Sequence, residues 1–311
     1  MNILSITWNW DPSLINIGGF DIRWYGLMWA VAILAAERIC HYTFKHEGLP
    51  PKTLESAFIW IVLGTFVGAR LGHCLFYGTP DDPWYFYTHP VEIITGIRDG
   101  GMASHGATLG IFLGIWMFCK RNHLPFMWGL DRIAIVAPLS GAIIRLGNFF
   151  NSEIVGFETN LPWGVKFVYH DARKAWEATG GNVPSEIIEN ISARHPAQLY
   201  EAICYVLVFA LILWLYYRKD LGRRRPGLLF GVAMIGIFLS RFFIEFCKER
   251  QVDFEQFLPI DMGQMLSIPF IILGVVMIVI ALKRPAVTDV NAVVNNANKF
   301  YANEQKKNNK R

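Results

Sequence analysis

Residues 131–156 read DRIAIVAPLSGAIIRLGNFFNSEIVG. The first twenty are almost wholly apolar, and at ~1.5 Å per residue they span the ~30 Å hydrocarbon core of a bilayer. Past Arg132 at its start, one arginine, Arg145, lies inside that stretch, and a dense polar run follows it. An arginine within a span costs roughly 3 to 17 kcal/mol and marks a functional site. Two other apolar stretches also carry one, Arg70 and Arg241. Counted from span starts near Glu55, Asp131 and Gly227, the three lie 15, 14 and 14 residues in. That places them ~21 Å from the inner face, in the outer half of the bilayer. Three guanidinium groups at one level suggest a site for an anionic lipid head group.

Working outward, six further stretches resemble this one in length and hydropathy. The seven expected spans are 22–42, 55–77, 102–119, 131–150, 196–217, 227–247 and 263–282. The composition agrees: 53% of the 311 residues are hydrophobic and 17% charged, where a soluble protein is about a quarter charged. The mean hydropathy is +0.31. The expected fold is an all-α polytopic membrane protein.

Lys and Arg set the orientation. They number three in 38–52, three in 120–132, five in 218–225 and seven from Lys283 onward, against one in 78–101 and two in 248–261. Positive charge marks the cytoplasmic side, so the amino terminus is expected outside and the carboxyl terminus inside. The start of the chain lacks a basic region and a small-residue cleavage site, so no cleavable signal peptide is expected. Trp8, Trp10 and Phe20 read as interfacial anchors. The five cysteines are scattered without metal or disulfide spacing and read as reduced, apolar thiols.

The 151–195 loop is too long for a simple connection. Its PWGVKFVYH segment reads as a short strand and its GGNVP, 180–184, as a turn, so a small outside cap is expected. Residues 1–284 then form one membrane domain carrying the 151–195 insertion. Residues 285–311, rich in Asn and Lys, read as a disordered cytoplasmic tail.

Polar residues gather at one membrane surface. RLGNFFNSEIVG, 145–156, holds Arg145, Asn148, Glu153 and Gly156. DGGMASHGA, 99–107, places His105 behind a Gly-Gly pair. RHPAQLYE, 194–201, holds His195, Gln198, Tyr200 and Glu201. SRFFIEF, 240–246, spaces Arg241 and Glu245 four apart, so that they can pair on one helix face. DMGQMLSIP, 261–269, brings Gln264, and RWYGLMW, 23–29, brings Tyr25. Histidine is the side chain suited to proton transfer near neutral pH. Each segment also has a structural reading, as a helix cap or an ion pair. What favours a functional site is that all six fall at the same surface. A lipid-modifying enzyme, a transporter of an anionic lipid and a lipid-binding scaffold remain open on the residues alone. A transporter would place its charges near the midplane.

GGMASHG, RLGNFFNSE, RHPAQLYE and MGQMLSIP, in that order, resemble the bacterial prolipoprotein diacylglyceryl transferase family, and the resemblance runs from about Trp24 to Leu282. It implies a seven-span enzyme of the bacterial inner membrane with a small periplasmic head between the fourth and fifth spans. It also implies the reaction: the diacylglyceryl group of phosphatidylglycerol moves to the lipobox cysteine of a preprolipoprotein, giving a thioether and glycerol 1-phosphate. No cofactor, metal or nucleic acid is implied. His105, Arg145 and Arg241 match the family's catalytic positions. Tyr25, Asn148, Glu153 and Gly156, with the two arginines, are expected to bind phosphatidylglycerol. Asp131, His195, Gln198, Tyr200, Glu201, Glu245 and Gln264 are expected to support them. Two positions depart from the pattern: Phe157, where many members are basic, and Lys248, where members often have arginine. A thiol of pKa ~8.5 is mostly protonated at neutral pH, so a base is needed, and His105 is the candidate. Guanidinium groups match phosphate geometry, which suits Arg145 and Arg241 to the leaving group.

Overall fold

The computed structural model describes residues 6–18, 20–76, 82, 85–95, 103–249 and 260–308. The expected Gly100–Gly101 pair and the last three tail residues lie outside the described residues. Among those described, eight helices are long: α1 (Trp24–Glu47), α2 (Pro51–Phe76), α3 (Ser104–Arg121), α4 (Phe126–Phe150), α5 (Ala197–Tyr217), α6 (Leu228–Glu245), α7 (Met262–Lys283) and α8 (Ala292–Asn308). The first seven stand at the seven expected positions. Five of them, α2, α4, α5, α6 and α7, are long and apolar enough to cross a membrane. The surfaces of α2, α5 and α7 carry exposed Leu, Ile, Val and Phe along most of their length, the pattern of helices that face lipid rather than water. The protein is thus a mostly helical, multi-pass membrane protein.

The chain divides into two compact units, Met1–Ile39 with Ile133–Ala286, and Cys40–Arg132 with Val287–Arg311.

In the second unit, α2 packs on α3 through two glycine stripes. A Cβ added at Gly72 would lie 2.6 Å from the Gly106 Cα, and one added at Gly68 would lie 2.8 Å from the Gly110 Cα. Small residues four apart let membrane helices approach backbone to backbone. Arg70 is spent locally: its Nε donates to the Ile93 carbonyl at 2.8 Å and a terminal nitrogen to the Glu92 carbonyl at 3.1 Å. Its guanidinium also lies over Phe86. The expectation that all three arginines serve one anion site is corrected here, because this cation is committed to backbone carbonyls. Glu47 accepts from Trp128 at 3.0 Å and from Arg132 at 2.5 Å, so the end of α1 is tied to the start of α4.

The tail expected to be disordered forms α8. Val294, Ala297 and Tyr301 recur along one face and are buried. Tyr301 donates to the Asn122 side-chain oxygen, and Asn298 donates to the Gly48 carbonyl at 3.4 Å. The outward positions are Asn295, Asn296, Lys299 and Asn303, which gave the segment its polar composition and hid the stripe.

In the first unit, β1 (Ile6–Trp8) runs parallel to β4 (Val165–Phe167), with Ile6 opposite Val165 and Trp8 opposite Phe167. The expected strand in 151–195 is therefore present, and its partner is the amino-terminal segment. β2 (Ser13–Ile17) and β3 (Phe20–Arg23) form a hairpin leading into α1. Trp8 and Trp10 pack on Phe149, Phe150 and Trp24. The expected turn sits at Gly180 and Gly181, whose φ of 60° and 89° suit residues without a Cβ. Short helices flank it, over a small core of Val168, Val183 and Ile191. Phe149, Val155, Val165 and Phe167 form a second core beneath β4.

Candidate active site

The first unit gathers the ends of α4 and α6 and the starts of α5 and α7. Arg145, five residues from the end of α4, pairs through Nε with Glu201 of α5. It also donates to the Asn148 side chain at 3.3 Å and lies beside Tyr205. Asn148 and Tyr205 sit one turn along their helices from Arg145 and Glu201, so each can share its neighbour's face. Glu201 is 0% exposed. Its other oxygen accepts from Lys248 at 2.8 Å, and Lys248 donates at 3.0 Å to Glu245 at the end of α6. Glu245 fits because Gly263 leaves room at the start of α7: an added Cβ there would collide with the carboxylate. The result is a buried alternating chain, Arg145–Glu201–Lys248–Glu245.

The sequence allowed Arg241 and Glu245 to pair. In the structure Glu245 pairs with Lys248 instead, and the Arg241 Nε is buried without a partner among the described residues.

The remaining expected residues frame this network. Gln264 closes a capping box with Asp261 and donates to the Phe242 carbonyl at 3.2 Å, fixing the start of α7 against α6. Gln198 donates to the Glu153 carbonyl at 2.6 Å. Tyr200 accepts from Trp163 at 2.8 Å and lies 3.2 Å from His195 Nδ1. Gly156 is a packing point: its amide donates to the His195 carbonyl at 2.9 Å, and an added Cβ would clash with His195 and Cys247.

Tyr25 packs on Gly147 and, with Asp21, Arg23, Asn151 and Glu153, lines a cleft of about 510 Å³. A second cleft of about 600 Å³ shares Arg23, Asn151 and Glu153 and continues to His170, Arg173 and Glu249. Between them runs a turn with Ser152 and Ile154 at φ 53° and 58°. For a β-branched residue such a conformation is strained. Beside the second cleft Arg194 grips Asp171 through Nε at 3.0 Å and a terminal nitrogen at 2.7 Å. Burial alone would raise the Asp171 carboxyl, but hydrogen bonds from His170 and Arg194 hold it below its ordinary value.

His105 and Asp131 belong to the second unit. His105 is exposed in the first turn of α3, and Asp131 is fully buried in α4. Sequence reasoning missed Lys248 and Tyr205 as members of the network. For Tyr205 the available signal was spacing, since it follows Glu201 by four on α5; Lys248 lies past the end of α6, where helix spacing assigns no face.

A helical membrane protein with a buried, cation-rich polar site at its helix ends is the class that fold and site define. The sequence comparisons are more specific. A family model described as prolipoprotein diacylglyceryl transferase matches residues 12–280. Proteins named phosphatidylglycerol–prolipoprotein diacylglyceryl transferase are similar over nearly their whole length. That of Porphyromonas gingivalis is 42% identical over 287 residues, covering 90% of this chain and 96% of its own. That of Bacteroides fragilis is 40% identical over 286 residues, with 88% and 94% covered. That of Chloroherpeton thalassium is 38% identical over 280 residues, with 90% and 95% covered. The chain belongs to the prolipoprotein diacylglyceryl transferase family.

Proposed function

We propose that this protein transfers the diacylglyceryl group of phosphatidylglycerol to the lipobox cysteine of preprolipoproteins, the first step of bacterial lipoprotein maturation. The observation that carries this reading is the identity to transferases of that name, which extends over nearly the full length of both chains. The substrate's sulfur attacks the glycerol carbon that bears the phosphate. A C–S bond forms, the C–O bond to phosphate breaks, and glycerol 1-phosphate leaves. The thiol proton passes to a base, for which His105 is the candidate. The partly buried cations Arg145 and Arg241 stabilise charge as it builds on the departing phosphate, since pre-placed donors act most strongly where charge develops. Tyr25, Asn148 and Glu153 hold the lipid head group, and Gly156 keeps the segment that carries Glu153 packed against His195. Asp131, His195, Gln198, Tyr200, Glu201, Glu245 and Gln264 support that arrangement.

In the same reading, residues 1–284 form a catalytic domain of seven spans in the inner membrane. The amino terminus and the 151–195 head lie in the periplasm, and the carboxyl terminus lies in the cytoplasm. Reporters fused after residue 170 then read outside, and those after 222 read cytoplasm.

The test is purified protein with phosphatidylglycerol and a lipobox peptide. A diacylglyceryl mass added to the peptide, with glycerol 1-phosphate released, is expected. Lipid translocation without the adduct would refute the reading. Arg145→Gln and Arg241→Gln are expected to abolish nearly all transfer, with only partial rescue by Arg145→Lys, because lysine lacks the bidentate fork. His105→Gln is expected to keep lipid binding, lose transfer, and regain part of the rate at a pH that ionises the substrate thiol. Loss of lipid binding in that variant would make His105 a head-group ligand or a structural residue instead.

A further inference from the structure

Lys248 has no part in the reaction as written above, yet it is 3% exposed and holds two carboxylates at once. Its backbone is fixed as tightly as its side chain: its amide donates to the Glu245 carbonyl at 3.0 Å, and it pairs with Gly156 in an isolated bridge. A buried amine is costly to desolvate. It is placed here between Glu201 and Glu245, where both carboxylates face it.

Resting on the reading of this site as the one that binds phosphatidylglycerol, we infer that Lys248 is a positioning residue that reserves Arg241 for the lipid phosphate. Glu245 lies four residues after Arg241 on α6, the spacing at which a carboxylate and a guanidinium pair. Lys248 occupies Glu245 and keeps it off Arg241. The charge count follows from the same contact. Arg145 and Lys248 meet Glu201 and Glu245, two cations for two carboxylates, and Arg241 pairs with neither carboxylate, so one positive charge is left over. Glu201 answers Arg145 and shares Lys248 with Glu245, so the uncompensated charge falls on Arg241, whose Nε lacks a partner among the described residues. A phosphodiester with one negative charge and an uncharged polyol completes the balance. A zwitterionic head group brings its own cation and does not. Lys248 therefore sets selectivity for a monoanionic lipid, acting through Glu245 without touching the lipid.

The experiment reads lipid retention on the full-length protein in nanodiscs, comparing phosphatidylglycerol with phosphatidylethanolamine, alongside KM and kcat for transfer. Lys248→Met frees Glu245 to take Arg241. It is expected to lower the preference for phosphatidylglycerol by about tenfold or more, the scale of close buried charge pairs, and to raise KM more than it lowers kcat. Lys248→Arg restores the preference. The decisive variant is Lys248→Met combined with Glu245→Gln, which removes one charge of each sign and leaves the surplus on the arginines. It is expected to recover the preference. A merely structural lysine would not be rescued this way, so a double variant no more selective than Lys248→Met overturns the inference. So does Lys248→Met with wild-type selectivity. If Lys248→Met does not fold, the double variant decides alone, and loss of selectivity in it refutes the idea. Absence of any thioether product from the wild type would count against the transferase reading instead, since lipid retention is read without chemistry.

Discussion

Glu201→Gln is the sharpest perturbation the structure offers. The substitution keeps the shape of the side chain and removes one charge. Glu201 is fully buried and uses both oxygens, one for Arg145 and one for Lys248. A glutamine can turn its carbonyl toward only one of them, and its amide then faces the other cation. Removing one partner of a buried ion pair costs about 3–5 kcal/mol, because the remaining charge is left uncompensated. Lys248 still has Glu245, and Arg145 still has Asn148 and Tyr205, so the lower end, about 3 kcal/mol, applies. For a large domain each kcal/mol lowers Tm by roughly 2–4 °C, which gives a fall of roughly 6–12 °C. Activity should suffer more than stability. Arg145 loses the partner that fixes its guanidinium, and a misplacement of about 1 Å is enough for a 100-fold loss of rate. The assays are thermal unfolding in detergent and transfer to a lipobox peptide at a temperature where the variant is folded. A Glu201→Gln protein that melts like the wild type and turns over normally would show that the buried chain of charges does not position Arg145.

Three further outcomes test other parts of the molecule. Gly110→Ala should destabilise the α2–α3 pair, because the added methyl meets the Gly64 backbone and overpacking costs about 1–3 kcal/mol. Gly26→Ala, with open space around it, should not lower Tm, and equal melting of the two variants would contradict the close approach. Asp171 has a lowered carboxyl value, so its contribution to stability is present above the unfolded value of about 3.9 and is lost as pH falls through the lower folded value. Asp171→Asn should therefore loosen the 151–195 segment to proteolysis at pH 7, with the difference from wild type closing at the acid end; a difference constant with pH would exclude the Arg194 and His170 contacts as its source. Tyr301→Phe should cost about 1 kcal/mol through the lost bond to Asn122, and truncation after Ala286 should cost more; a truncated protein that melts unchanged would mean α8 contributes nothing.

Helix positions were legible because hydropathy alone requires them: each expected span coincides with a helix to within a few residues. The polar residues of the site were legible for the same reason, since a charged group in an apolar stretch stands out whatever its partner. What the sequence could not supply was partners. Depth put Arg70 level with Arg145 and Arg241, but depth does not distinguish a guanidinium facing an anion from one capping carbonyls. The carbonyls that take Arg70 belong to Glu92 and Ile93, more than twenty residues away. Spacing offered Arg241 a mate in Glu245, yet a third residue beyond the helix end competed and won. Lys248 was readable only as a departure from a family pattern, because its position past the last turn of α6 left no helical face to assign it. The tail failed for another reason. Its stripe of three buried residues is too narrow to register against an Asn- and Lys-rich composition, and only contact with Asn122 and Gly48 gives it something to pack on.

Five charged side chains in one part of a membrane protein would be prohibitive if each were solvated separately. The cost falls because they alternate in sign and share atoms: Glu201 serves two cations, and Lys248 serves two carboxylates. Such sharing has a mechanical consequence. None of the four paired members can reorient without leaving a neighbour's charge exposed, so those side chains are held in place before any lipid arrives. Catalysis by charge stabilisation depends on this, because donors that need not reorganise during the reaction contribute their full interaction energy to the transition state. The arrangement also explains why the surplus charge lies at one end of the chain of contacts rather than at its centre. A cation between two carboxylates is already satisfied, whereas the Arg241 Nε has no partner among the described residues, so Arg241 can meet a phosphate without any existing ion pair first being broken.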